Sequence, residues 1–212
     1  MNKTKQELIR ISKLLEQKGF TNAFQGNISI IDRDLGKLYI TPSGTRKLTL
    51  TEEELAVLDL DGKQIEGCVK KSSEHKMHLV ALRYRPDCSA VIHCHSVYLT
   101  AFSMFGKTVD PKCHEEFLLT RGIPCLPWGK GGTEDIYKDM EKEIKEHDLV
   151  LLGNHGALCV GSDLEKCFKV LEAVDNTLKA WVLAMQIGNG KVVDIPIWDE
   201  LVKQKEKAIH NL

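Results

Sequence analysis

The feature that most constrains the fold is an apolar, partly β-branched run at 90–97, AVIHCHSV, which contains His93 and His95. Such a run predicts a buried strand. Alternate residues of a strand point to the same face, so these two side chains project together, with their bases about 7 Å apart. Two imidazoles at this spacing can bind one metal ion through bonds of about 2.0–2.1 Å. The run therefore predicts a strand that carries part of a metal site.

Hydrophobic periodicity and turn signals predict helices and hairpins on both sides of this strand. Helices are predicted at Lys3–Lys18, Ser72–Tyr84, Val97–Phe105, Thr133–Glu146, Ser162–Gln186 and Trp198–His210. Further strands are predicted at Asn27–Ile31, Lys37–Thr41, Leu55–Leu60, Lys63–Glu66, Ile123–Leu126, Asp148–Leu152 and Ala157–Val160. The 212 residues suggest one domain, and the hairpins favour a sheet with much antiparallel pairing that helices cover.

Charge and composition exclude several classes of function. A formal net charge of -1 leaves no broad basic field for nucleic acid or an anionic membrane, whereas a small phosphorylated ligand needs only a local patch. No apolar run is long enough to span a bilayer, and the N-terminus does not resemble a signal peptide. The seven cysteines are scattered without a C-x-x-C pair, which predicts reduced thiols in a cytoplasmic protein.

His155 is the third candidate metal ligand. It lies in a break, Gly153-Asn154-His155-Gly156, between two apolar strands. A loop at the tip of a buried strand pair can present a polar side chain to a cavity. The alternative is an ordinary turn, because this segment tolerates left-handed backbone conformations. The paired histidines at 93 and 95 favour the metal interpretation.

Glu74, in the segment Ser72-Ser73-Glu74, is the fourth candidate ligand. The alternative is structural, because serine caps helices and an acid in the first turn suits the helix dipole. In the functional interpretation Glu74 is both a labile zinc ligand and a general acid/base. Three neutral histidines and one carboxylate leave zinc electrophilic enough to polarise a carbonyl.

Three polar turns are candidates for a phosphate site, namely Gln25-Gly26-Asn27, Thr41-Pro42-Ser43-Gly44-Thr45 and Lys71-Ser72-Ser73. Backbone N–H groups and hydroxyls that converge from such turns bind phosphate, although each segment alone also fits a plain turn. No chemical role is assigned to four of the other histidines, which are His75, His78, His147 and His210.

The order of these motifs resembles the class II aldolase/adducin family. The motifs are Gly26-Asn27, Thr41-Pro42-Ser43-Gly44, Ser72-Ser73-Glu74, His93-x-His95 and Asn154-His155-Gly156, and the likeness extends over about 8–186. The resemblance implies an α/β fold, with one catalytic domain over 1–212 and a mostly antiparallel central sheet flanked by helices on both sides. It also implies a homotetramer with active sites at the subunit interfaces.

The resemblance further implies a role for each motif. Zinc is held by His93, His95 and His155, and Glu74 is both the fourth ligand and the acid/base. Histidine and carboxylate ligands also accept Mn²⁺, Co²⁺ or Fe²⁺, so the sequence does not determine the metal. The phosphate of a small phosphorylated sugar is surrounded by Gly26, Asn27, Ser43, Gly44, Ser72 and Ser73.

Ser-Ser-Glu together with all three histidines resembles the aldolases of the family. The expected reaction cleaves L-fuculose-1-phosphate, or a related 5-deoxy or 5-methylthio pentulose phosphate, to dihydroxyacetone phosphate and an aldehyde. A 4-epimerase, a methylthioribulose-phosphate dehydratase and a non-catalytic adducin-like binding protein are the alternatives. Aldolases of this kind use tyrosines for proton transfer, but this chain reads PKCHEEF at 111–117 and has no tyrosine after Tyr137. His114 and Glu115 are therefore the candidates for that transfer.

Overall fold

The computed structural model describes residues 2–120 and 122–210, with side chains described through Lys205. The helices are α1 Lys3–Gln17, α2 His75–Tyr84, α3 Val97–Ser103, α4 Met140–Glu146, α5 Leu164–Ile187 and α6 Trp198–His210. The strands are β1 Asn27–Asp32, β2 Lys37–Ile40, β3 Ala56–Asp59, β4 Gln64–Glu66, β5 Ala90–Cys94, β6 Cys125–Leu126, β7 Leu149–Leu152 and β8 Gly156–Gly161.

The eight described strands form one sheet in the order β4-β3-β2-β1-β5-β8-β7-β6. Every neighbouring pair is antiparallel except β6 and β7. The histidine strand β5 lies inside the sheet, where His93 is paired with Asn27 on β1 and with Leu158 on β8. The predicted α/β fold with a mostly antiparallel sheet is therefore confirmed.

Helices cover both faces of the sheet, and strand alternation assigns each β5 side chain to one of them. Ile92 and Cys94 lie in the core that packs against α1, α3 and α5. Val91 lies in the opposite core, which packs against α2 and α4. His93 shares the parity of Val91, so its side chain is on the α2 face. The N-terminus of α2, where Glu74 lies, is therefore on the same side of the sheet as the histidines.

Several predicted boundaries differ from the structure by a few residues, and three of the differences lie at or near the site. Strand β5 ends at Cys94 because the N–H group of His95 donates to the Phe20 carbonyl outside the sheet. The helix predicted from Ser72 begins at His75. The helix predicted at Thr133–Glu146 is a 3₁₀ turn followed by α4, and the Thr133 hydroxyl donates backwards to the Lys130 carbonyl.

No helix in the described part of the chain is long and apolar enough to cross a membrane.

Candidate metal centre

Three imidazole rings meet at the end of β5. One ring nitrogen from each of His93, His95 and His155 lies within 4.8 Å of the others. The Nε2 atoms of His93 and His95 are 2.9 Å apart, although His95 lies one residue beyond the strand. The structure thus brings together the three histidines that the sequence analysis selected.

Strand pairing orients His93. Its Nδ1–H group donates to the Ala157 carbonyl on β8 at 2.9 Å, which leaves the Nε2 lone pair facing the cluster. Burial lowers the pKa of His93, and burial together with the neighbouring rings lowers the pKa of His95 to about 3. Both rings are therefore neutral at physiological pH, which is the state that binds metal.

His155 is presented by a tight turn between β7 and β8. Asn154 has a left-handed φ of 55°, and the N–H group of His155 donates to the Leu152 carbonyl at 2.9 Å. A Cβ atom at Gly156 would lie 2.5 Å from the Cys94 carbonyl oxygen, so only glycine lets the turn approach β5 this closely. The turn interpretation and the metal interpretation of this segment are therefore compatible.

The Glu74 carboxylate completes the cluster. Its Oε1 lies 3.2 Å from His155 Nε2, and its Oε2 lies 3.5 Å from His93 Nε2 and accepts a hydrogen bond from the Asn27 amide at 2.7 Å. Burial opposes ionisation, but hydrogen bonds from His155 and Asn27, together with attraction to the His93 ring when that ring is protonated in acid, outweigh it. These contacts hold the pKa of Glu74 well below its usual range. The side chain therefore turns into the cluster instead of capping α2, at whose N-cap it stands.

The donor set fits a divalent transition-metal ion. Three imidazole nitrogens and a carboxylate oxygen are ligands that zinc accepts in four-coordinate sites. Two nitrogens bound to one tetrahedral ion lie about 3.4 Å apart, which is close to the spacing of the His93 and His95 Nε2 atoms. The same donors suit Mn²⁺, Co²⁺ and Fe²⁺, so the geometry does not identify the ion.

The three polar turns lie beside this cluster. Pro42 forms a β-bridge with Lys71, and the N–H group of Ser43 donates to the Lys70 carbonyl at 2.9 Å, which joins the second turn to the third. The Ser72 hydroxyl accepts from the N–H group of Glu74. Ser73 is exposed, and its hydroxyl has no protein partner within the described residues.

Gly26 lies where the first turn meets β1. It has a φ of 78°, and a Cβ atom there would lie 2.9 Å from the His93 carbonyl oxygen. Gly44 has a φ of 65°, and a Cβ atom there would meet open space. Glycine is thus required at position 26 by both conformation and space, and at position 44 by conformation alone.

Lys47 supports the first turn and was not identified from the sequence. The side chain is 2% exposed, and its ammonium group donates to the carbonyls of Asn22 and Gln25 at 3.1 and 3.2 Å. Burial lowers the pKa of Lys47 to about 8. A lysine next to polar loops gives no sequence signal of burial, because lysine is almost always exposed.

A glycine-rich loop covers the Glu74 side of the cluster and was also missed. A Cβ atom at Gly131 would lie 3.2 Å from His155 Cε1 and 3.4 Å from Glu74 Oε1. Gly132 has a φ of 73°, and a Cβ atom there would lie 3.4 Å from Ser73 Cβ. The Gly-Gly pair was a visible signal, because adjacent glycines often mark a close backbone approach.

His114 and Glu115 have other neighbours. His114 precedes a 3₁₀ turn that begins at Glu115, and its Nδ1 accepts from the N–H group of Glu116. Its ring lines a cavity of about 330 Å³ together with Trp181 on α5. No hydrogen bond or ion pair described for this part of the chain joins either residue to the histidine cluster.

Residues 6–182 match the family described as the class II aldolase and adducin N-terminal domain. The chain belongs to this family. A 5-deoxy-D-ribulose 1-phosphate aldolase of Bacillus thuringiensis is 29% identical over 206 residues, which cover 97% of each chain. An L-fuculose phosphate aldolase of Methanocaldococcus jannaschii is 30% identical, and the match covers 86% of this chain and 98% of the relative.

A solved structure of an L-fuculose 1-phosphate aldolase superposes with a TM-score of 0.86 at 28% identity, and the match covers 97% of each chain. The class II aldolase relatives also include a 3-oxo-tetronate 4-phosphate decarboxylase of Haemophilus influenzae, 29% identical over 82% of this chain. Membership identifies the chain as a class II aldolase, an aldehyde-lyase of a metal-dependent family.

Proposed function

We propose that this class II aldolase is zinc-dependent and reversibly cleaves a ketose-1-phosphate to dihydroxyacetone phosphate and an aldehyde, with residues 1–212 as one catalytic domain. The observation that carries the proposal is the convergence of His93, His95, His155 and Glu74 beside the polar turns. The substrates that fit best are L-fuculose-1-phosphate and related 5-deoxy or 5-methylthio pentulose phosphates. The relative that matches over 97% of both chains is named for a 5-deoxypentulose phosphate, which favours that class.

His93, His95, His155 and Glu74 would hold the ion that the reaction uses. A divalent ion bound there would supply the Lewis acidity that polarises a carbonyl. His93 is held by the Ala157 carbonyl, and His155 is held by its turn, so the ligand geometry exists before the ion binds. This preorganisation limits the reorganisation needed on substrate binding.

Glu74 moves a proton at C3 of the substrate. Cleavage breaks the C3–C4 bond, the electron pair stays on C3, and the C4 hydroxyl loses its proton to become the aldehyde carbonyl. Glu74, which takes up a proton from water once the substrate replaces its contacts, then protonates C3, which gives dihydroxyacetone phosphate. In the free site its contacts with Asn27 and the histidines keep the carboxyl ionised, and a substrate that replaces them raises its proton affinity.

The polar turns bind the phosphate. The residues are Gly26, Asn27, Ser43, Gly44, Ser72 and Ser73. The bridge between Pro42 and Lys71 holds the second and third turns together, and the Ser73 hydroxyl is exposed and available as a donor. The buried Lys47 adds a positive charge behind the first turn. Donors and charge at this end favour an anionic group over a neutral sugar.

Self-association completes the site. We propose a homotetramer in which His114 or Glu115 of a neighbouring copy takes the C4 hydroxyl proton, because both lie apart from the cluster of their own chain. Exposed apolar residues near α3 and α5 supply an interface, among them Phe105, 72% exposed, and Ile187, 85% exposed. Light scattering after size exclusion tests the assembly, and a monomer with full activity contradicts it.

The enzyme is proposed to work in the cytoplasm, since all seven cysteines are free thiols, six of them buried or half-buried, and free thiols persist in a reducing compartment.

The decisive assay is zinc-loaded enzyme with each ketose-1-phosphate, coupled to an enzyme that reduces dihydroxyacetone phosphate. Release of dihydroxyacetone phosphate supports the proposal. An epimeric sugar phosphate alone identifies a 4-epimerase, and loss of water to a diketone identifies a dehydratase. Release of carbon dioxide from 3-oxo-tetronate 4-phosphate identifies a decarboxylase, the function for which one relative is named. No turnover and no bound metal identify an adducin-like binding protein.

A further inference from the structure

A buried chain of hydrogen bonds lies behind Glu74. Ser29 Oγ is 2.7 Å from His78 Nδ1, and His78 Nε2 is 2.5 Å from Asn27 Oδ1. The Asn27 amide nitrogen is 2.7 Å from Glu74 Oε2. The chain therefore runs from β1 through α2 and back to the carboxylate of the candidate metal centre.

The chemistry of the groups determines the direction of every bond. The ionised Glu74 carboxylate only accepts, so the Asn27 amide group donates to it and the Asn27 oxygen faces His78. An amide oxygen also only accepts, so His78 carries its proton on Nε2. The free lone pair on His78 Nδ1 then accepts from the Ser29 hydroxyl.

Burial makes this arrangement specific. Ser29 and His78 are completely buried and Asn27 is 6% exposed. If one of these side chains lost its hydrogen-bond partner, bulk water could not take that partner's place. The backbone of Asn27 is paired with His93 in the sheet, which leaves its side-chain rotation as the main freedom. A flipped Asn27 amide would place its oxygen against the Glu74 carboxylate and its N–H groups against the Nε2–H group of His78. Neither contact is a hydrogen bond, so His78 opposes the flip.

We propose that His78 is a positioning residue that holds the Asn27 amide with its N–H groups directed at Glu74 and at the substrate. The inference rests on the proposed function, because it assigns Glu74 its part in the centre. One amide N–H group bonds to Glu74, and the second remains to bond a substrate oxygen. His78 thereby orients the carboxylate without touching metal or substrate itself.

The test compares two replacements of similar size in the full-length enzyme. His78→Leu removes the donor, whereas His78→Gln keeps an N–H group near the place of Nε2. His147→Leu is the matched control, because among the described residues the His147 ring bonds only to Glu143 of α4. Thermal unfolding establishes that each variant is folded before it is compared.

We expect His78→Leu to weaken zinc binding and to lower kcat by about 10–100-fold, as removal of groups that orient metal ligands does. His78→Gln should recover most of both losses, and His147→Leu should match the wild type. His78→Gln that is folded and as impaired as His78→Leu overturns the inference, as does a His78→Leu enzyme with wild-type zinc affinity and kcat.

A spectroscopic readout is independent of activity. Long-range ¹H–¹⁵N correlation on the metal-free protein should show His78 protonated on Nε2 only, and the Nδ1 tautomer contradicts the inference. Failure of the proposed function gives a different pattern. In that case no ketose-1-phosphate is cleaved, yet zinc affinity still falls in His78→Leu and returns in His78→Gln.

Discussion

The imidazole rings of His93 and His155 stack with their planes 3° apart and their centroids 5.0 Å apart. His95 meets both rings edge-on, with centroid distances of 4.6 and 4.7 Å. The stack forms because β5 and β8 are neighbours in the sheet and the turn before β8 bends back over the end of β5. Backbone pairing, rather than flexible side-chain contact, therefore sets the spacing of the metal ligands.

Removal of His155 should abolish the centre without unfolding the sheet. His155→Ala leaves the turn backbone intact, and we expect zinc affinity to fall by at least about 100-fold, because loss of a ligand exceeds loss of a group that orients one. Metal analysis after dialysis measures bound zinc per chain. His147→Ala is the control, and equal metal content in the two variants contradicts the ligand assignment.

Glu74→Gln should separate metal binding from proton transfer. The amide keeps the size of the side chain but cannot carry the proton, so we expect kcat to fall by about 10²–10⁴-fold. Three histidines remain to hold the ion, and metal analysis should still find zinc. A Glu74→Gln enzyme that keeps its metal and full cleavage activity shows that Glu74 is not the acid/base.

Gly131→Ala should narrow the site from the loop side. The new Cβ atom would lie 3.2 Å from His155 Cε1 and 3.4 Å from Glu74 Oε1, so the loop or the ligands must shift. We expect kcat/KM to fall by about 10-fold, equal to about 1.4 kcal/mol of barrier. Gly36→Ala, in the β1–β2 turn where a Cβ atom meets nothing, is the control. That variant has backbone strain at φ 62° and should change stability but not kcat/KM.

The stability of the metal-free protein should fall in acid because its buried histidines stay neutral. Burial lowers the pKa of His78 to about 3. Below the ordinary pKa of about 6.5 the unfolded chain therefore binds a proton that the folded chain does not, and His78 costs about 1.4 kcal/mol of stability per pH unit down to about pH 3. Urea unfolding at pH 7 and pH 5 with a chelator measures the slope. His78→Leu should have a shallower slope, and an unchanged slope contradicts the assignment.

Much of the fold was predictable because it follows from local periodicity. The alternation around Ile92 and His93, the hairpin residues and the amphipathic helices all signal structure within a few positions. The break between the 3₁₀ turn at Glu134–Ile136 and α4 was not predictable in this way. It depends on how Ile136 and Met140 pack under the sheet, which is tertiary information.

The site was predictable only where residue type itself carries chemistry. His93, His95, His155 and Glu74 are unusual in their local contexts, and the structure brings them together. His78 was assigned no role, because on a helix it looks like an ordinary histidine and its bonding partners lie on a strand distant in the sequence.

The most direct test of the account is a zinc titration of metal-free enzyme, with dihydroxyacetone phosphate release from a 5-deoxypentulose 1-phosphate measured at each addition. The account predicts that activity rises in proportion to bound zinc and reaches a plateau at one ion per chain, and that His155→Ala stays inactive throughout. Full release of dihydroxyacetone phosphate before any divalent ion is added, or by His155→Ala, would contradict it.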